Sequence, residues 1–177
     1  MIAGGGAYSH SVSTPAGPDA AVFRRAMGRF ATGVCVLTAV HGGTDHAMTA
    51  SAFTSVSLDP MLVLACVETE ARFHDAVLAA GQWAVSILDA PSRGVSEWLA
   101  TRGRPLPGQL DRVPFHRGAV TGAALVDGAL AWLEVRTTAV HPAGDHSVVI
   151  AEVLSVDLAA PAGEPLLWFR SAYRTLA

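Results

Sequence analysis

A mainly-β domain, with its sheet closed or nearly closed into a barrel and a few short helices outside it, is what this sequence predicts. Three observations carry the prediction. Residues 133–158 read as two long strands across one short turn. Between residues 34 and 88 stand four further apolar, β-rich stretches. The strands do not alternate regularly with helices, so a doubly wound parallel sheet is disfavoured.

In chain order, residues 1–18 are rich in Gly, Ser and Pro and read as a flexible lead-in to one domain over residues 19–177. Asp19 is placed to cap a helix. Phe23, Met27 and Phe30 recur at helical spacing, with Arg24, Arg25 and Arg29 off that stripe, so the helix is amphipathic. Val34 to Val40 is a strand, and His41-Gly42-Gly43-Thr44-Asp45 is its turn. Ala47 to Phe53 reads as a second strand. Asp59-Pro60 breaks the chain. Met61 to Val67, apolar at every position, reads as a central strand covered on both faces. Ala71 to Ala80 has Phe73 and Val77 one helical turn apart, with Gly81 as terminator. Trp83 to Leu88 is a fourth strand, and Pro91 opens a short helix carrying Val95, Trp98 and Leu99.

Residues 101–118 have several Gly and Pro and no periodicity, the pattern of a long surface loop of the kind that often carries function. From Leu133 the chain alternates Leu133, Val135, Thr137, Ala139 against Glu134, Arg136, Thr138. After the turn Pro142-Ala143-Gly144-Asp145, the residues Val148, Ile150, Leu154, Val156 and Leu158 are expected on one face of the return strand. Leu166 to Phe169 adds a last short strand.

Composition narrows the function. The 177 residues are 51% hydrophobic and 15% charged, a globular profile long enough to bury a core without staples. A net charge of -3 gives no general attraction to nucleic acid. There is no Lys, which excludes a Schiff-base lysine and a P-loop lysine. Cys35 and Cys66 sit in apolar stretches without a CxxC partner and are expected to be buried free thiols. With no signal peptide or membrane span legible, a soluble cytoplasmic protein is expected. GxGxxG after a strand, GxxxxGK[ST], HExxH and GxSxG are all absent, so any nicotinamide cofactor is not held by a Rossmann unit.

Three segments carry polar chemistry. Thr49, Ser51, Thr54, Ser55 and Ser57 crowd hydroxyls onto one strand and its exit, among side chains small enough for a flat ring to approach. The alternative is an edge strand facing water. Glu68-Thr69-Glu70-Ala71-Arg72 leads into a helix whose start could hold a phosphate, or could simply be solvated. Gly144-Asp145-His146 projects a histidine from a hairpin end, where an exposed turn residue is the plainer reading.

Together, and in this order, the segments resemble the flavin reductase family with the FMN-binding split β-barrel fold. These are the reductase components of two-component flavin-dependent monooxygenases. The resemblance starts at Phe23-Arg24-Arg25-Ala26-Met27-Gly28-Arg29-Phe30 and runs through Met48-Thr49-Ala50-Ser51-Ala52-Phe53 to Asp59-Pro60. It resumes at Gly144-Asp145-His146 and ends at Leu167-Trp168-Phe169 with Tyr173. It implies that Thr49, Ala50, Ser51 and Ser57 line the flavin, and that Cys66, Val67, Glu68 and Arg72 mark its phosphate end. It places His146, with Gly144 and Asp145, at the nicotinamide, and brings Tyr173 to the same cleft. It further implies reduction of FMN or FAD by NADH or NADPH, a homodimer, and a separate monooxygenase as recipient of reduced flavin. The alternatives are a split-barrel flavoprotein of the pyridoxamine-phosphate-oxidase type and a non-enzymatic flavin- or ligand-binding barrel. Departures from the family pattern are His46 before Ala47-Met48, Met61 after Pro60, and the acidic Glu68-Thr69-Glu70.

Overall fold

The computed structural model describes residues 17–161 and 163–176. Most of the expected flexible lead-in, residues 1–16, lies outside the described residues. The elements are α1 (Ala20–Met27), β1 (Thr32–Gly33), β2 (Cys35–His41), β3 (Thr44–Ala50), β4 (Phe53–Leu58), β5 (Met61–Glu68), α2 (Arg72–Ala80) and β6 (Gln82–Ile87). They continue with α3 (Arg93–Ala100), β7 (Phe115–Arg117), β8 (Ala124–Val126), β9 (Ala131–Ala143), β10 (His146–Leu158), β11 (Leu167–Phe169) and β12 (Ala172–Arg174). A single 3-10 turn at Ala90–Ser92 opens α3.

Seven strands form one antiparallel sheet in the order β3-β2-β6-β9-β10-β5-β4. Its two outermost strands, β3 and β4, are consecutive in the chain and separated only by Ser51-Ala52. Three peptide steps span at most about 11 Å. The sheet must therefore curl until its ends nearly meet, yet no ladder joins them. That open seam makes it a split barrel.

The local signals fold as read. The Asp19 side chain accepts from the Ala21 N–H at 2.7 Å and caps α1. Gly81 ends α2 in the left-handed region at φ 67°. Inside the barrel Leu37, Val63, Ala65, Val67, Phe73, Val77, Trp83, Val85, Val135 and Val149 form one buried cluster. A second cluster lies between the outer face of β2 and α3 with the following loop, from Val34 and Val36 to Leu99, Leu110, Val113 and Leu166.

Five expectations need correction. The expected strand Ala47 to Phe53 is two strands, because the chain crosses the seam at Ser51-Ala52. The strands covered on both faces are β2, flanked by both clusters, and β6; β5 is next to the edge, with Val63, Ala65 and Val67 buried and Leu62, Leu64 and Cys66 only half-buried outside. Cys66 is accordingly not a buried thiol, whereas Cys35 is. On β10 the buried residues are Ser147, Val149 and Ala151, opposite to the expected face, and a bulge between Val153 and Ser155 shifts the alternation beyond it. Finally, the segment after α3 is not a surface loop throughout: Gln109, Leu110 and Val113 are buried, and β7 begins within it. Among the described residues no helix is long and apolar enough to cross a membrane.

Candidate functional site

Beside the seam the barrel carries a cleft of about 490 Å3. Its floor is β3, from His46 to Thr49. One wall is the end of β5 and the start of α2, with Glu68, Glu70 and Arg72. The other is the end of α3 and the loop bearing Arg102, Arg104 and Gln109. The loop is held in place by polar bonds. Trp98 Nε1 donates to the Gln109 carbonyl at 2.7 Å, Gln109 Nε2 donates to the Asp45 carbonyl at 2.5 Å, and Arg104 donates to the Ala47 carbonyl. Arg72 donates to the Arg104 carbonyl at 2.6 Å.

The cleft sets three guanidiniums, Arg72, Arg102 and Arg104, against two carboxylates, Glu68 and Glu70. Burial, and then the neighbouring Arg72, push the Arg104 guanidinium down from its ordinary value. It stays charged at neutral pH, so the direction marks a cation without a counter-charge. Burial, then His41 and Arg72, also push the His46 imidazole down, against an opposing pull from Asp45. Arg104 Nε and His46 Nδ1 are buried without a hydrogen-bond partner. Unsatisfied buried polar atoms are uncommon. Glu68 does not supply a partner, because both its carboxylate oxygens accept from Arg102 Nη2, at 3.0 and 2.7 Å. A phosphate fits a cleft lined by Arg72 and Arg104, neither of them paired with a carboxylate among the described residues.

A smaller pocket of about 140 Å3 adjoins the cleft and shares Thr49 and Ala100 with it. Val34, Ala50, Ser51, Trp168 and Tyr173 complete its lining. The walls are small or aromatic, which suits a flat ring. Thr49 Oγ1 donates to the Ser96 carbonyl at 2.7 Å, the Ser96 hydroxyl meets the Tyr173 hydroxyl at 2.9 Å, and the Trp168 and Tyr173 rings pack edge to face at 4.9 Å. These bonds tie β3, α3 and β12 around the pocket.

The tight turn Gly144-Asp145 joins β9 to β10, with Gly144 at φ 67°. Register then sets His146 opposite Glu68. Thr69 donates to the Asp145 carbonyl through its N–H at 3.0 Å and its hydroxyl at 3.1 Å, locking the turn to the β5–α2 junction. The Asp145 carboxylate lies 2.8 Å from His146 Nδ1, and this bond holds the Asp145 carboxyl below its ordinary value.

The sequence-predicted residues thus divide. Thr49, Ala50, Ser51, Glu68, Arg72 and Tyr173 line the two cavities, and Gly144, Asp145 and His146 stand at the Glu68 end. Ser57 lines neither: it lies near the β4–β5 turn, where its hydroxyl accepts from the Asp59 N–H at 3.2 Å. Val67 points into the core, and Cys66 lies on the outer face of β5. Sequence reading missed His46, Arg102, Arg104, Gln109 and Trp168 as lining residues. The only sequence signal for the loop arginines was the length of the segment that carries them. Among the described residues no group of His, Cys, Asp and Glu could hold a metal ion.

Known proteins agree with this architecture. The chain is 39% identical over 161 residues to an NADH-dependent FAD reductase of Streptomyces globisporus, covering 90% of this chain and 87% of the relative. It is 38% identical over 160 residues to an NADH-dependent FMN reductase of Streptomyces nodosus subsp. asukaensis, covering 90% and 86%. Among solved structures, BorF, the flavin reductase component of a bacterial two-component tryptophan halogenase, superposes with a TM-score of 0.84 at 42% identity, over 89% of this chain and 98% of that one. Residues 27–177 match the family described as the flavin reductase like domain, and the chain belongs to that family.

Proposed function

We propose that this protein is an NADH-dependent flavin reductase that reduces FMN or FAD and releases the reduced flavin to a separate flavin-dependent monooxygenase. The observation that carries the reading is the continuity of an aromatic-walled pocket with a cleft lined by Arg72, Arg102 and Arg104. A flavin nucleotide has that polarity, a flat ring at one end and phosphate at the other. Hydride transfer from nicotinamide to flavin N5 is the chemistry the two cofactors supply once bound.

The chain's own contribution is placement and charge. Arg72, Arg102 and Arg104 hold the phosphate end, and His46 donates beside them. Thr49, Ala50 and Ser51 present backbone and small side chains to the ring, with Thr49 fixed by Ser96. Tyr173 and Trp168 wall the ring and exclude water. The Asp145 carboxylate engages His146 Nδ1, which leaves Nε2 free to orient the nicotinamide or its phosphates. Cys66 and Val67 act in this reading only as the strand that carries Glu68 to the cleft. Ser57 acts through the β4 exit, with no side-chain contact to the cleft.

A homodimer belongs to the same reading. Leu62, Leu64 and Cys66 of β5 stand beside Val148 and Ile150 of β10 on the outer face of the sheet. These five belong to none of the buried clusters.

The first test is NADH oxidation by the purified protein with FMN, then FAD, at catalytic and excess concentrations, with NADPH in parallel. Oxidation that depends on added flavin and saturates with it is expected, with NADH preferred. No turnover with any pairing would overturn the reductase reading in favour of a flavin- or ligand-binding barrel. Turnover with NADPH alone would correct the nicotinamide assignment.

A further inference from the structure

A third cavity, of about 410 Å3, lies between the C-terminal end of α1 and the turn joining β11 to β12. Arg24, Arg25, Gly28, Arg29, Arg170 and Ser171 line it, and none of them lines the two cavities of the flavin site. Four of the chain's twelve arginines thus meet at one place.

Among the described residues no carboxylate pairs with them. The arginine ion pairs among the described residues are made by Arg93, Arg102, Arg117 and Arg136. Residues 1–18 contain no Asp or Glu, and the first acidic residue after Asp19 is Asp45. The Asp19 carboxylate is at the opposite end of α1, occupied by the Ala21 N–H. A cleft lined by one sign of charge concentrates potential and gathers counter-ions.

Complementing the α1 dipole accounts for Arg24 and Arg25, which lie in the last turn of the helix. It does not account for Arg170. Arg170 and Ser171 form a two-residue turn between paired Phe169 and Ala172, with both residues left-handed, at φ 50° and 58°. Glycine or asparagine occupies such positions with least strain. Here the chain holds an arginine in the strained conformation. The turn is fixed against the helix end by the Arg170 N–H, which donates to the Gly28 carbonyl at 2.7 Å. The approach is close, since a Cβ at Gly28 would lie in van der Waals contact with Arg170 Cα, at 3.8 Å. The Arg170 guanidinium lies over the Phe169 ring at 5.2 Å, directed by that contact.

We propose that this cleft is a second anion site, which takes the diphosphate of a phosphorylated small molecule. Guanidinium forks match phosphate oxygens two at a time, and a diphosphate offers enough oxygens for several forks. The volume exceeds that of a diphosphate alone and leaves room for an attached nucleoside. The same chemistry is offered by free pyrophosphate and by the diphosphate of a nucleotide.

Calorimetric titration of the full chain at low ionic strength, with pyrophosphate and in parallel with ADP, tests the site without any turnover. Two anion sites per chain are expected, one in each cationic cleft. Arg170→Gly removes a guanidinium and relaxes the strained turn, so the variant is expected to melt no lower than the native chain. It is expected to weaken one site by about tenfold or more while the other site and the flavin affinity stay as they were. The double substitution Arg24→Ala, Arg25→Ala is expected to act on the same site. Tighter binding of ADP than of pyrophosphate would identify a nucleotide as the occupant, and equal binding a free diphosphate; both support the site. Native stoichiometry and affinity in both variants would overturn it, as would a native chain whose only anion site is lost on Arg104→Met.

Discussion

Arg104 is half-buried beside a second guanidinium, with Nε lacking a partner. Replacing it by Met keeps the packing stem and removes the charge together with the bond to the Ala47 carbonyl, leaving Gln109 to anchor the loop. The loss of a charge-assisted hydrogen bond of about 1.5–3 kcal/mol predicts flavin affinity lower by roughly tenfold to a hundredfold. Turnover at saturating flavin is expected to change little, because the guanidinium faces the phosphate end, away from the ring pocket. Flavin fluorescence titration against steady-state kcat checks both. His46 gives a pH prediction. Its imidazole is held below the ordinary value of 6.5, so the fold favours the neutral ring. The stability this contributes is complete above pH 6.5 and declines as pH falls below it toward the folded-state value. His46→Asn is expected to lose less Tm than the native chain between pH 7 and pH 5. A bound phosphate, by favouring the protonated ring, should offset the native loss. Cys35, pushed up to about 12 by burial, is expected to stay unalkylated at pH 8 until the chain unfolds.

At the scale of elements, the hairpin of β9 and β10 does the positioning. Gly144 lies in the left-handed region, where a side chain is strained even though a Cβ there meets nothing within 4 Å. Gly144→Ala is expected to cost about 1 kcal/mol, read as a lower Tm. By displacing His146 it should also raise KM for NADH more than it weakens flavin binding; an unchanged KM would remove the turn from nicotinamide binding. Elements of this kind were legible in the sequence because their signals are local: Asp19, Gly81, Pro91 and the Gly-Asp turn each punctuate the chain where they stand. The seam at Ser51-Ala52 was not, since neither residue breaks a strand and only the curl of the distant sheet separates β3 from β4. The bulge after Val153 was equally silent, so a single apolar alternation was read through a point where it shifts. The site divided the same way. Thr49 to Ser51 and the Glu68–Arg72 segment announced themselves by composition. His46 and Arg104, 58 positions apart, share a cleft only because Gln109 and Arg104 anchor the loop to β3 carbonyls.

For the whole molecule, the apolar character of β5 on both faces poses a question that one chain does not answer. The inner residues Val63, Ala65 and Val67 fill the core, while Leu62, Leu64 and Cys66 make an outer stripe with Val148 and Ile150 of β10. Alternation of apolar and polar residues is the norm for an antiparallel strand with one face in water. A stripe that breaks it on two neighbouring strands predicts a covering surface. A second copy supplies one without any further component, and a stable pair needs about 800 Å2 from each partner. Sedimentation of the native chain at micromolar concentration is therefore expected to give twice the mass of 18.3 kDa. The double substitution Leu64→Arg, Ile150→Arg places cations on the outer face, where the core is untouched, and is expected to yield folded monomer. Because Glu68 ends the same strand and lines the phosphate cleft, the monomer should also bind flavin more weakly than the native protein. A native chain that sediments as a monomer would separate the stripe from self-association. A double variant that stays dimeric would move the interface to another face of the barrel.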